Sequence, residues 1–289
     1  MARAAEATRF HRPVSRGAAS NRRRMLAALA VCAAALAAVC ACGALLADDA
    51  VQTDFAQKNL APSAAHPFGT DWMGRDMLAR TLAGLATSVA VGLVSAAVSS
   101  VVAFAMAALA AFGGRRADAA VSWLIDLVMG IPHIVLLILV SYALGRGAVG
   151  VTVGVAVTHW GSLARVLRAE ILQCCEQPYV AVARALGASR RRMVLDHMAP
   201  HVLPQYVAGL VLLFPHAILH EAAITFLGFG LPPEQPAVGV ILSESMSYLS
   251  AGMWWLAVFP GAALLACVLM FDRVGTLARR LLDARAAQE

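Results

Sequence analysis

Charged residues are scarce in this sequence, and lysine is almost absent. Only 14% of the 289 residues are Asp, Glu, Lys or Arg, whereas 60% are hydrophobic. Soluble domains carry about 25% charged residues, so this composition, with a mean hydropathy of +0.72, predicts an integral membrane protein. The single lysine, Lys58, follows no GxxxxG sequence, and a P-loop needs a lysine there to reach nucleotide phosphates. We therefore expect no ATP site and no cofactor in this chain.

The sequence also lacks a disulfide framework and any CxxC pair for zinc or redox chemistry. Its six cysteines fall inside apolar segments or next to a basic loop, where disulfides are not expected. The net charge of +6 does not indicate nucleic-acid binding either, because the arginines form short clusters beside apolar segments instead of following one exposed face. We expect a lipid-embedded chain without a nucleic-acid partner.

Long apolar stretches predict an all-α, polytopic membrane protein with six transmembrane helices. A helix needs about 20 apolar residues to cross a bilayer. The predicted spans are residues 25–47, 81–112, 121–144, 149–163, 206–227 and 254–271. A signal peptide has an apolar core of about 7–15 residues, and the first span is longer, so we interpret it as a retained helix.

The remaining segments divide the chain into tails, an outer segment and a core. The predicted divisions are a tail at 1–24, an outer segment at 48–80, a five-helix core at 81–278 that includes the loop 178–204, and a tail at 279–289. All but four of the 23 lysines and arginines then lie on one side of the membrane. Because positive residues mark the inner side, both termini and the loop are predicted to be cytoplasmic.

The segment HPFGTDWMGRD, residues 66–76, precedes the second span. Gly69 and Gly74 permit a tight backbone, and Trp72 suits the headgroup layer. Thr70 or Asp71 can cap a short interfacial helix. These residues by themselves indicate a structural role at the membrane surface.

A basic segment between the fourth and fifth spans predicts two short helices. The first covers Tyr179–Leu186 and ends at Gly187. Ser189 is a candidate N-cap for the second helix, which Pro200 and Pro204 should end. A hook of two helices around a glycine can place one apolar face in a groove of a partner.

The two segments resemble signatures of ABC importer permeases of the peptide/nickel class. The first is similar to the Gly-Thr-Asp, two residues, Gly-Arg-Asp signature of the second, or C-type, subunit. Its fixed positions are matched here by Gly69, Thr70, Asp71, Gly74, Arg75 and Asp76. The basic segment resembles the family's coupling loop, in which Glu-Ala-Ala, three residues and a glycine follow one another. Ala183 and Gly187 match that pattern, whereas Ala181 and Val182 replace the glutamate and the first alanine.

This resemblance implies the type I ABC importer permease fold and a function without catalysis. The implied cargo is short peptides or nickel, free or chelated, carried across the bacterial cytoplasmic membrane. The implied partners are a second homologous permease in a heterodimer, two ATPase subunits that bind the ATP, and an extracytoplasmic substrate-binding protein. The residues implied to couple to the ATPase are Tyr179, Ala181, Val182, Ala183, Leu186, Gly187, Arg190 and Arg191.

Polar residues of the fifth span are candidates for the translocation path. His216 and His220 lie four residues apart and therefore share one helix face, and Glu221 follows them. A zincin needs the order His-Glu-x-x-His, which is not the order here, and no third ligand is evident, so no firm metal site is predicted. The three side chains either line the path or are satisfied by neighbouring helices. A membrane-embedded metal-dependent enzyme and a non-transporting scaffold remain alternatives.

Two further path candidates are Asp126 in the third span and His159 in the fourth. A carboxylate inside a membrane helix is costly and usually faces protein or water. Asp126 lies near the basic end of its span, so we expect it to pair with Arg115 or Arg116.

Overall fold

The computed structural model describes residues 16–189 and 192–282, which fold into nine α-helices without a β-strand. The helices are α1 (Arg16–Leu45), α2 (Met77–Phe112), α3 (Gly114–Gly130), α4 (His133–Ala143), α5 (Gly147–Cys175), α6 (Pro178–Ala185), α7 (Ala199–Phe226), α8 (Val238–Leu249) and α9 (Trp255–Leu282). The all-α prediction is confirmed. Of the two predicted tails, residues 16–24 and 279–282 belong to α1 and α9, and the rest lies outside the described residues.

Five of the described helices, α1, α2, α5, α7 and α9, are long and apolar enough to cross a membrane. Helices α3 and α4 meet at 95° and together make a sixth candidate span. The spans correspond to the six predicted ones, but several helices run further than predicted, and α9 continues to Leu282. Helix α5 continues to Cys175 and α7 begins at Ala199, because the polar residues that end an apolar stretch do not by themselves end a helix.

The predicted end of the second hook helix at Pro200 and Pro204 is wrong. A π-helical turn, Met193–Met198, leads directly into α7, and both prolines lie within that helix. The backbone widens just before Pro200, where the N–H of Ala199 donates to a carbonyl five residues back. Proline has no N–H for the regular bond to the carbonyl four residues back, and the widened turn lies where Pro200 interrupts that pattern.

Helix α2 packs against α1, α5 and α7 and forms the centre of the bundle. A Cβ added to Gly92 would lie 2.5 Å from Cγ1 of Ile218 in α7, and one added to Gly84 would lie 3.1 Å from the backbone at the start of α8. Glycine at these positions lets helices approach closely in a membrane bundle. Gly84 and Gly92 therefore make close contacts within the chain.

The break between α3 and α4 places α4 directly against α5. Ile131 and Pro132 leave helical geometry, and proline disfavours helix in the residue before it. Gly150 and Gly154 of α5 lie under α4, where an added Cβ would be 2.8 Å and 3.2 Å from backbone oxygens. This close contact brings His133, the first residue of α4, over the middle of α5.

Candidate functional site

A cavity of about 370 Å³ opens beside the break between α3 and α4. Residues from the break, from α5 and from α7 form its wall. They are Val128, Met129, Ile131, His133, Thr158, His159, Ser162, Leu213, His216 and His220. Its volume falls within the range of about 300–1,000 Å³ that is usual for small-molecule sites. The wall has four imidazoles and no carboxylate.

Three of these imidazoles, His133, His159 and His220, face one another. The ring centroids lie 4.4 Å apart for His133 and His159, 4.5 Å for His133 and His220, and 4.8 Å for His159 and His220. One ring nitrogen from each lies within 4.8 Å of the other two, and the described residues include no other such group of metal-ligating side chains. The expectation that no third ligand lies near His220 is therefore wrong.

Backbone hydrogen bonds orient two of the three rings. Nδ1 of His159 lies 3.0 Å from the carbonyl oxygen of Val155, and Nδ1 of His220 lies 2.7 Å from that of His216. A carbonyl oxygen can only accept, so each Nδ1 carries the proton and each Nε2 keeps its lone pair. Nε2 of His159 is buried without a hydrogen-bond partner, and so is Nε2 of His133. The site therefore presents an unsatisfied nitrogen lone pair on Nε2 of His159.

Two of the five predicted path residues do not line this cavity. Glu221 is fully buried on another face of α7, where its Oε1 accepts a hydrogen bond from Thr225 at 2.9 Å. Asp126 is exposed and pairs with Arg165 at 2.7 Å. The prediction of an ion pair for Asp126 is confirmed, but its partner is on α5 and is neither Arg115 nor Arg116. The other three, His159, His216 and His220, do line it.

Asp71 and Arg75 of the 66–76 segment form a largely buried cluster of charges with Arg80 and Glu244. Oδ2 of Asp71 lies 2.6 Å from both Nε of Arg75 and Nη1 of Arg80. Glu244 of α8 accepts from the same two arginines, at 3.1 Å and 2.9 Å. Two positive and two negative groups thus balance, with Asp71, Arg75 and Arg80 buried and Glu244 partly exposed. The cluster ties this segment to α2 and α8.

The backbone of this segment has the tight turns expected at its glycines. It does not form the expected interfacial helix. Gly69 and Gly74 have φ of +74° and +76°, and an added Cβ would meet backbone oxygens at 2.6 Å and 1.7 Å. The short interfacial helix predicted after Thr70 or Asp71 does not form. Asp71 instead closes a tight turn by accepting from two backbone N–H groups at 2.8 Å and 3.0 Å. The helix starts later, where Asp76 caps α2.

The hook between α5 and α7 presents apolar side chains to the outside. In α6, Val180 is fully buried, whereas Val182 is 57% exposed and Leu186, just beyond the helix, is 83% exposed. Gly187 has φ +80° and ends this helix, as predicted. The Tyr179 hydroxyl lies 3.3 Å from the Cys174 thiol.

That contact raises the pKa of the Tyr179 phenol, because the hydrogen bond favours its neutral form. Ala181 is exposed and Ala183 half-buried. Ser189 accepts from the backbone N–H of Arg192 at 3.3 Å, as predicted for an N-cap. The predicted coupling residues Arg190 and Arg191 lie outside the described residues.

The chain is thus a bundle of membrane-crossing helices with an exposed hook and a cavity that four histidines line. The family model described as binding-protein-dependent transport system inner membrane component matches residues 99–288. The chain belongs to this family. It is therefore a multi-pass inner membrane protein and a transporter subunit, not an enzyme, and the predicted kinship with ABC importer permeases is confirmed.

Individual relatives make the class more specific. A protein of Brucella suis biovar 1 named as a peptide permease is 35% identical over 234 residues, which cover 81% of this chain and 78% of that protein. The dipeptide transport system permease protein DppC of Bacillus subtilis is 28% identical over 235 residues, or 81% and 73% of the two chains. The MetNI methionine ABC transporter, solved in inward-facing conformations, aligns with a TM-score of 0.59 at 18% identity over 71% of this chain and 97% of that chain. This last likeness confirms the predicted type I permease fold.

Proposed function

We propose that this chain is one of two homologous permease subunits of an ATP-driven importer for short peptides. Two relatives that cover most of its length are named for peptide or dipeptide transport. The cavity between α3, α5 and α7 has the volume of a small-molecule site. An external binding protein delivers the peptide, and two ATPase subunits supply the energy, since no P-loop sequence is present.

The observation that carries this proposal is the exposed hook. Val182 and Leu186 lie in water in the isolated chain, although burial of such side chains stabilises a protein by about 1.5–3 kcal/mol each. An apolar helix face that projects from a bundle fits a groove on a partner. We assign this face to an ATPase subunit. The excess of basic residues in the same loop supports a cytoplasmic position for it.

Purification of the complex tests the assignment. The chain, tagged at its C-terminus, is isolated from its native membrane, and co-purifying proteins are identified by mass spectrometry. Gly187→Pro should lose the ATPases and keep the second permease, because proline cannot adopt φ +80° and the hook will be misdirected. Gly252→Pro is the matched control, since Gly252 has φ +83° and an equally open surrounding at a distant turn. Retention of the ATPases by Gly187→Pro, or purification of the wild-type chain alone, would contradict the proposal.

Uptake measurements test the cargo. Deletion of the transporter should abolish ATP-dependent uptake of labelled dipeptides, and re-expression of the wild-type chain should restore it. Nickel is the second candidate, because four histidines line the cavity and imidazole is a good ligand for that ion. Unchanged uptake of both dipeptide and nickel in the deletion strain would exclude both.

A further inference from the structure

We propose that His133, His159 and His220 form a binding site for one divalent transition-metal ion within the cavity. This inference deepens the proposed function, on which its statement about cargo rests. The ion enters as part of the cargo, and the three imidazoles hold it on its way through the membrane.

The placement of the three histidine rings suits a metal ion. The three helices that bear them are separate in sequence, yet their ring planes meet at 78–88° and their centroids lie within 4.8 Å. Zinc binds imidazole nitrogen at about 2.0–2.1 Å, so tetrahedral ligands are about 3.3 Å apart. The ring nitrogens here lie within 4.8 Å of one another. The site therefore closes when the ring nitrogens approach one another by up to about 1.5 Å.

The position of the proton on two of the rings also suits a metal ion. The proton on Nδ1 of His159 and of His220 is fixed by a backbone carbonyl. Protein metal sites use the same arrangement, in which one ring nitrogen donates to an outer acceptor and the other binds the ion. The buried Nε2 atoms of His133 and His159 lack any partner in the structure. A bound cation would satisfy the Nε2 lone pair of His159, and also that of His133 in the tautomer that carries its proton on Nδ1.

The chemistry of the cavity wall decides the class of ligand. Nitrogen donors without carboxylates favour Ni²⁺, Cu²⁺, Zn²⁺ and Co²⁺ over Mg²⁺ or Ca²⁺. Three neutral imidazoles leave the ion with its full double charge, and charge inside a membrane is costly. A complex with a short peptide reduces this cost, because the peptide carboxylate and amine fill the open coordination positions. We therefore assign the site to a metal–peptide complex, and free ion is the other source of the same chemistry.

Titration of the purified full-length chain with Co²⁺ tests the site, because the visible spectrum of Co²⁺ reports imidazole coordination. The wild-type chain should bind one ion. Loss of an outer-shell partner alone weakens metal sites by about 10- to 100-fold, so His159→Gln and His220→Gln should each weaken binding by at least that much. His133→Gln, at the first residue of α4, should do the same and serves if the other variants do not fold. His201→Gln is the control, since His201 pairs with Glu170 outside the cavity, and should bind like the wild type.

Absence of Co²⁺ binding by the folded wild-type chain would overturn the inference. Unchanged binding by the triple variant, which combines His133→Gln, His159→Gln and His220→Gln, would overturn it as well. Uptake assays in cells that carry the whole transporter separate this failure from that of the proposed function. ATP-dependent dipeptide uptake without any metal binding would leave the peptide importer intact and remove the metal site. Metal-stimulated uptake of labelled dipeptide that the triple variant loses supports the metal–peptide complex. Uptake of the ion alone supports free metal as the cargo.

Discussion

Replacement of Asp71 by asparagine should destabilise the protein strongly, although the two side chains have the same shape. Asp71 is 3% exposed, and its Oδ2 accepts from both Arg75 and Arg80. Asparagine keeps an oxygen for the two backbone N–H groups of the turn but turns its amide N–H₂ toward the guanidinium groups. Two arginines then share Glu244, and one positive charge stays buried without a counter-charge.

The geometry sets the size of the effect. Removal of one partner from a buried ion pair costs about 3–5 kcal/mol. Arg80 has only 3% of its side chain exposed, so water cannot replace the lost carboxylate. Glu244 still contacts both arginines, which places the expected loss at the lower end, at about 3 kcal/mol. Glu244→Gln should cost less, about 1–2 kcal/mol, because that side chain is 24% exposed and partly hydrated.

Thermal unfolding of the purified chain in detergent, followed as the monodisperse fraction after heating, measures these differences. Asp196→Asn is the control, since its pair with Arg192 is exposed and 3.9 Å long and should contribute about 0–1 kcal/mol. Asp71→Asn combined with Arg75→Gln restores neutrality and should cost less than the sum of the two single changes. Equal midpoints for Asp71→Asn and Asp196→Asn would refute a stabilising role for the buried cluster.

Two other substitutions probe the packing that positions the cavity. Gly92→Ala should lower stability by about 1–3 kcal/mol through overpacking, because its Cβ would meet Ile218, whereas Gly130→Ala, which meets no atom within 4 Å, should have little effect. Thr225→Val should cost about 1–3 kcal/mol, since the Thr225 hydroxyl accepts from the buried backbone N–H of Leu231 at 3.1 Å and a methyl group cannot. Thermal unfolding in detergent measures both, and equal midpoints for the two glycine variants, or a wild-type midpoint for Thr225→Val, would contradict this account of the packing.

The sequence predicts the helices because long apolar runs have few alternatives in a bilayer. It does not predict where α5 ends, since Arg165 and Arg168 interrupt the apolar pattern. In the structure, both arginines find carboxylates on α3, namely Asp126 and Asp118. Pairs of this kind depend on which helices are neighbours, and that information is absent from local composition.

The candidate site shows the same limit. His216 and His220 could be placed on one helix face from their spacing alone. His133 could not be assigned to the group, because it belongs to another span and reaches the cavity only through the break at Pro132. The Glu244 carboxylate, which completes the cluster around Asp71, could not be assigned from the sequence either, because it lies far along the chain. For His133, the one local signal was a proline inside an apolar span, followed directly by histidine.

The hook and the cavity are joined by one helix. From the π-helical turn Met193–Met198 the chain stays helical through α7, which has 28 residues and is therefore about 42 Å long. Pro215 lies inside this helix, where it removes a backbone hydrogen bond and favours a bend. The helix can therefore carry a displacement of the hook toward His216 and His220, with a defined point of flexure just before them.

In the proposed importer, α7 links the hook, which faces the ATPase, to one wall of the cavity that holds the cargo. His220 belongs to α7, whereas His133 and His159 belong to α4 and α5, so a movement of the hook that α7 transmits would change the distances among the three imidazoles. The metal site would then be tighter in one state of the transporter than in the other. A cargo that binds all three rings stabilises the assembled state and shifts the population toward it, because a ligand shifts an equilibrium only by its differential affinity for the two states. The same change that opens the site releases the cargo, which is what a path through a membrane requires of a binding site along it.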